Sequence, residues 1–215
     1  MRVGVLGGTF DPIHLAHLRL GDAAMTDLKL DRVIFVPAGQ PWLKAGQPLS
    51  PACHRVAMVR LAIAREARYS VSEIEVDRPG PTYTVDTLEQ FSVALGSEVE
   101  LYLILGMDAL EHFHRWKEPA RILELCSLAV AARPGLKSFT METFLAQFPA
   151  TAADITLLPV VLPDISATEV RSLAKNEGSS KEAVKGFLNE LVPASVADYI
   201  RRIGIYPAET KVDAD

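Results

Sequence analysis

Two histidines three residues apart, His14 and His17, close a stretch that opens on paired glycines: Gly7-Gly8-Thr9-Phe10-Asp11-Pro12-Ile13-His14-Leu15-Ala16-His17. On a helix that spacing puts both imidazoles on one face. Glycines carry no Cβ and so let backbone N–H groups come close to a ligand. Asp11-Pro12 reads as an N-cap followed by proline at the first helical position, so a helix is expected to begin there. Its positive dipole end and unpaired N–H groups would face an anion. Two imidazoles beside an anion site suit phosphate chemistry. No Gly-Lys-Ser/Thr follows, as in a Walker loop, and the third glycine of the dinucleotide fingerprint is missing. Read alone, a glycine turn beside two ordinary histidines would account for the same residues.

The elements that must hold these residues follow from periodicity. Val3 to Leu6 reads as a strand, the helix after Pro12 should run to about Leu28, and Arg32 to Val36 is a second buried strand. That βαβ unit carries ligands at the carboxyl ends of its strands, where the loop with Trp42 and Lys44 also lies. Ser50-Pro51 announces a helix with Val56, Val59 and Ile63 on its buried stripe, leaving His54 and Arg55 to solvent. A strand around Tyr69 to Val76 leads into Asp77-Arg78-Pro79-Gly80-Pro81-Thr82-Tyr83-Thr84, where proline and glycine argue against regular structure. Thr84 is expected to cap a helix through about Leu95, with Asp86 in its first turn.

Glu100 to Leu105 is a further apolar strand, delivering Gly106 and Asp108 to the same sheet edge. Asp108 can accept from ribose hydroxyls or serve as an N-cap. Trp116, in a polar context, is either a core anchor or a stacking platform. Leu128 to Ala132 reads as the fifth strand, with Arg133 after it, Phe139 to Phe148 as a helix and Ile155 to Leu162 as the last strand. Ser166 and Glu169 form a capping-box pattern, and Arg171 follows one and a half turns on. Helices near Lys181 to Leu191 and Pro193 to Ile203 should pack back on the sheet, the second through Val196, Tyr199, Ile200 and Ile203.

Composition bounds the partners. The 215 residues, 49% hydrophobic and 23% charged, suit one α/β domain over residues 1–207 with a disordered polar tail at 208–215, and no repeat or linker divides it. A net charge of −5 argues against a nucleic-acid or membrane surface and confines positive charge to a local site. Cys53 and Cys126 lack metal-ligand spacing and disulfide density, and no signal peptide or spanning segment is visible, so a cytoplasmic location is expected. Whether the chain forms a homo-oligomer is left open.

The glycine-histidine stretch resembles the GGTFDPxHxGH signature of the nucleotidyltransferase superfamily, with Ala16 in place of the glycine of HxGH. Ile165-Ser166-Ala167-Thr168-Glu169-Val170-Arg171 resembles the superfamily's ISSTxxR motif, with Ala167 replacing one serine, and Leu103 to Leu110 resembles its LILGxDxL run. Pro81 to Leu88 and Phe113 to Trp116 are similar to the PSYTxxTL and FxxW patterns of bacterial nicotinate mononucleotide adenylyltransferases. The resemblance runs from Val3 to about Tyr206. It implies a Rossmann-like α/β domain, mostly parallel, with helices on both faces and a small C-terminal helical part. It implies adenylyl transfer from ATP to nicotinate mononucleotide by direct in-line attack. In that scheme His14, His17, Lys44 and Arg171 are catalytic, while Gly7, Gly8, Thr9, Phe10, Gly106, Asp108, Ile165, Ser166 and Thr168 bind ATP. Tyr83, Thr84, Trp116 and Arg133 would hold the pyridine nucleotide. Mg²⁺ would arrive with ATP, since it binds mainly through substrate phosphates and water, and no protein metal site is expected. The rivals are another acceptor such as phosphopantetheine, a cytidylyl transfer, or a nucleotide sensor without turnover. The last would expect the basic residues to be eroded, and all four are present.

Overall fold

The computed structural model describes residues 1–42, 46, 48–132, 141–148, 155–177 and 187–207. Apolar runs that are continuous rather than alternating belong to strands covered on both faces. Four such runs become β1 (Arg2–Gly8), β2 (Arg32–Pro37), β6 (Glu100–Gly106) and β7 (Ser127–Ala131). With β4 (Tyr69–Val71) and β8 (Ile155–Leu158) they form a six-stranded sheet in the order β4-β2-β1-β6-β7-β8, every pair parallel. β3 (Gln40–Pro41) and β5 (Pro81–Thr82) pair separately as a small parallel arm.

Alternate side chains feed two cores. Leu6, Val33, Phe35, Tyr102 and Ile104 face one way, toward α1 (Leu15–Asp27), α2 (Ala52–Ile63) and the C-terminal α9 (Ala194–Ile203). Val3, Val5, Ile34, Val36, Leu101 and Leu103 face the other, toward α3 (Thr84–Leu95), α5 (Pro119–Leu125) and α6 (Met141–Gln147). Short helices α4 (Met107–Glu111) and α8 (Leu188–Leu191), a 3₁₀ turn at Phe113–Arg115, and α7 (Ala167–Glu177) complete the order. Gly4 sits close against its neighbours: a Cβ there would lie 2.7 Å from the Ile104 Cδ1 atom of the adjacent strand, and that side chain would have to move aside. No helix among the described residues is long and apolar enough to cross a membrane.

Several boundaries differ from the sequence reading. α1 begins at Leu15, with His14 as its N-cap, rather than at Asp11-Pro12. The Asp11 carboxylate is occupied elsewhere, accepting the Ser50 N–H at 3.0 Å and the Tyr206 hydroxyl at 2.8 Å, and the Asp11–Pro12 peptide is cis. Pro51, not Ser50, caps α2, and Tyr83, not Thr84, caps α3. β4 stops at Val71 because the chain turns back, the Asp77 N–H donating to the Glu73 carbonyl. The loop expected to lack regular structure contributes β5. β8 ends at Leu158, where Pro159 has no N–H for the ladder. α9 packs mainly against α2 and α8 rather than on the sheet, and Ile203 on its supposed buried stripe is exposed. Arg55, expected in solvent, is 2% exposed. Residues 139–140, 181–186 and the tail 208–215 lie outside the described residues.

Candidate active site

The strand order reverses between β1 and β6, so the loops leaving their carboxyl ends part and open a crevice, the general ligand position of doubly wound sheets. Two clefts occupy it. The first, about 420 Å³, is walled by Gly7, Thr9, His14, Ala16 and His17 on the β1 side, and by Gly106 and Asp108 after β6. Ile165, Ser166, Thr168 and Arg171 close it from the start of α7. The second, about 270 Å³, is walled by Gly7, Gly8, Thr9, Trp42, Glu75, Thr82, Thr84, Thr87 and Trp116. Gly7, Thr9, Leu105 and Ala109 belong to both. A Cβ on Gly7 would meet no protein atom within 4 Å, so its missing side chain leaves open space shared by the two clefts.

The histidines are organised by the helix start. His14 is extended at the N-cap, and its backbone N–H donates to His17 Nδ1 at 3.2 Å. The rings stack with centroids 3.7 Å apart. Phe10, at φ +47°, tucks its ring beneath the loop, edge-on to His17 at 5.1 Å and almost wholly buried, so its side chain supports the pair from below rather than lining a cleft. Across the cleft the Ser166 hydroxyl accepts the Glu169 N–H at 3.1 Å, capping α7. Arg171 donates to the Asp11 carbonyl at 2.8 Å and to the Thr168 hydroxyl at 3.2 Å, bridging α7 to the histidine loop. Asp108 is not the cap of α4; Gly106 is, and a Cβ there would strike the Asp108 carboxylate at 2.6 Å.

The second cleft is of different character. Thr84 opens α3 at its edge, and Trp116 packs on Phe113 with ring centroids 5.2 Å apart. The buried Trp116 Nε1 has no hydrogen-bond partner among the described residues. Tyr83 stands behind the wall: its ring is 5.9 Å from Trp42, with the Lys117 ammonium 4.7 Å from its centroid and paired to Asp86 at 2.9 Å. Two groups here escaped the sequence reading. Glu75 is a buried carboxyl whose Oε1 accepts the Thr87 hydroxyl at 2.8 Å; burial pushes its pKa above the ordinary value, against the opposing hydrogen bonds. Arg55 donates to the Thr9, Ala38 and Ser50 carbonyls at 2.8, 2.7 and 3.0 Å, and burial lowers its pKa. Its one sequence signal is the i, i+4, i+8 spacing with Val59 and Ile63. Nothing local singles out Glu75. Lys44 and Arg133 lie outside the described residues. Among those described, no three His, Cys, Asp or Glu side chains converge to hold a metal ion.

The cytidylyltransferase-like family matches residues 5–173. A probable nicotinate-nucleotide adenylyltransferase of Dehalococcoides mccartyi is 41% identical over 206 residues, covering 96% of this chain and 97% of the relative. One of Thermus thermophilus is 40% identical over 208 residues, covering 96% of this chain and all of the relative. The chain belongs to the nicotinate-nucleotide adenylyltransferase family. With that family it is an enzyme of the nucleotidyltransferase class. Its fold is similar to that of the nicotinic acid mononucleotide adenylyltransferase of Plasmodium falciparum, solved in complex with NaAD. The TM-score is 0.75 at 20% identity, covering 95% of this chain and 97% of that one.

Proposed function

We propose that the protein transfers the adenylyl group of ATP to nicotinate mononucleotide, giving deamido-NAD and pyrophosphate for NAD biosynthesis. One observation carries the reading: a cleft rich in phosphate-binding donors and a cleft with an aromatic wall share Gly7 and Thr9 at the end of β1. That is the arrangement required to bring two nucleotides together at their phosphates. The mononucleotide phosphate is already anionic at neutral pH, so no general base is needed. Its oxygen attacks the α-phosphorus in line, the bond to the β-phosphate oxygen breaks, and the electron pair leaves with pyrophosphate. The protein's part is positioning and charge stabilisation.

In this scheme His14 and His17 donate to the transferring phosphate, Arg171 and the N-terminus of α7 to the leaving phosphates, and Lys44 to the same end. Gly7, Gly8, Thr9 and the Phe10 backbone follow the triphosphate; Gly106, Asp108, Ile165, Ser166 and Thr168 line the rest of the ATP cleft. Thr84 supplies donors for the acid end of the pyridine nucleotide, with Arg133 as a further donor; Trp116 stacks on its ring, and Tyr83 backs that wall. The donors fit the triphosphate oxygens, and a Mg²⁺ ion carried on ATP would neutralise part of the triphosphate charge. The two free thiols, Cys53 and Cys126, accord with a cytoplasmic location.

The test is to supply ATP and Mg²⁺ with nicotinate mononucleotide, nicotinamide mononucleotide or phosphopantetheine, and to measure pyrophosphate. Nicotinate mononucleotide should be strongly preferred, because the amide's NH₂ would face donors it cannot pair with, at about 1–3 kcal/mol per contact. Equal rates with both pyridine nucleotides would overturn the acid specificity, and turnover of phosphopantetheine alone would overturn the substrate assignment.

A further inference from the structure

A carboxylate, a guanidinium and a phenol from three distant parts of the chain meet beneath the histidine loop, and none of them lines either cleft. Asp11 and Arg55 are each 2% exposed and Tyr206 is 7% exposed. The Asp11 carboxylate spends one oxygen on the Ser50 N–H at 3.0 Å and the other on the Tyr206 hydroxyl at 2.8 Å. Its backbone carbonyl accepts Arg171 at 2.8 Å. Arg55 joins the Thr9, Ala38 and Ser50 carbonyls, tying the loop after β1 to the loop after β2 and the entry to α2. Apolar groups of like volume would give comparable or greater stability than charges taken out of water. What such a network supplies is fixed geometry, since each oxygen and each N–H has one place to go.

We propose that Tyr206, acting through Asp11, and Arg55, acting through the Thr9 and Ser50 carbonyls, are positioning residues for His14, His17 and Arg171. Tyr206 lies 195 residues from Asp11, in the segment after α9, so the end of the described chain is fastened to the loop at the front of the site. Burial raises the phenol's pKa, which keeps it a donor to the carboxylate. Asp11 in turn holds the carbonyl on which Arg171 rests, and Arg55 holds the Thr9 carbonyl just before Phe10, the ring under His17. Loss of the Tyr206 support lets the loop move against α7 while the second cleft keeps its walls; loss of the Arg55 support also loosens Thr9 and Ala38, which wall that cleft.

The proposal rests on the reading that these three residues handle the triphosphate, and its test has an arm independent of turnover. Full-length Tyr206→Phe and Arg55→Lys are compared with wild type and with Ile200→Val, a packing change in α9 that removes no hydrogen bond to the loop. The imidazole ¹⁵N spectrum of the unliganded protein is assigned through His14→Gln and His17→Gln. Tyr206→Phe and Arg55→Lys should each shift both imidazole signals and lower kcat about tenfold, the scale of a sub-ångström misplacement. The KM for nicotinate mononucleotide should stay unchanged in Tyr206→Phe and rise in Arg55→Lys, which also frees the Ala38 carbonyl. Ile200→Val should do neither. Wild-type spectra and kcat in Tyr206→Phe would overturn the proposal, as would Ile200→Val reproducing its effects. If the wild type forms no product with any acceptor, the activity reading falls, and the imidazole comparison alone decides this one.

Discussion

At the scale of single residues, the stacked imidazoles are the part of the site with a direct chemical demand on them. His17 accepts the His14 N–H through Nδ1, so the neutral ring carries its proton on Nε2, the donor that the proposed reaction asks of it. His17→Ala should therefore lower kcat by ~10²-fold or more in a folded protein, the usual cost of one lost charge-stabilising donor. Steady-state kinetics beside a thermal melt check it, and unchanged turnover removes the pair from the mechanism. Glu75 makes a different demand, on stability. Its folded pKa lies above the ordinary 4.5, so the folded state holds the proton more tightly than the unfolded chain and loses stability as pH rises past 4.5. Glu75→Gln copies the protonated form. Its melting temperature should exceed wild type at pH 7, and the gap should close toward pH 4; a gap of the opposite sign would show that the ionised form is the stabilised one. The histidines could be read from sequence because loop and helix start are contiguous. Arg55 could not, because the Thr9 and Ala38 carbonyls it serves lie 46 and 17 residues away; Glu75 could not, because its partner Thr87 reaches it only once α3 has folded back beside the turn that carries it.

The strands were legible as elements wherever an apolar run is buried on both faces, as in β1, β2, β6 and β7. Edges were not: β4 and β8 proved shorter than their apolar runs, one ended by a turn and the other by Pro159. The β3–β5 arm had no signature at all, since two residues per strand are too few for a period. What holds it is a backbone contact. A Cβ on Gly39 would fall 2.0 Å from the Glu75 carbonyl oxygen, and 3.0 Å from the Thr82 Cγ2 atom. Gly39→Ala should accordingly displace the arm and cost about 1–3 kcal/mol, the ordinary penalty for overpacking. Because the arm carries Trp42 and Thr82 into the second cleft alone, calorimetry should find weaker binding of nicotinate mononucleotide and near-normal binding of α,β-methylene-ATP. Equal losses for both ligands would mean that the arm supports the whole site.

For the molecule as a whole, the α/β class and its parallel sheet follow from the order of the runs, and the motifs locate the ligand edge. The separation of that edge into two clefts does not follow from any run of residues, since it depends on where α7 and the arm come to rest on opposite sides of β1. That common wall has a consequence after the chemistry is over. In the proposed reaction the dinucleotide just made would lie across both clefts and keep the contacts of both halves, joined by a covalent link that replaces two separate binding events with one. Its dwell time should then exceed that of either substrate, so that departure of the product, rather than adenylyl transfer, limits turnover. Added deamido-NAD should inhibit competitively against ATP and against the mononucleotide alike, and pre-steady-state mixing should show a burst of pyrophosphate equal to the enzyme present.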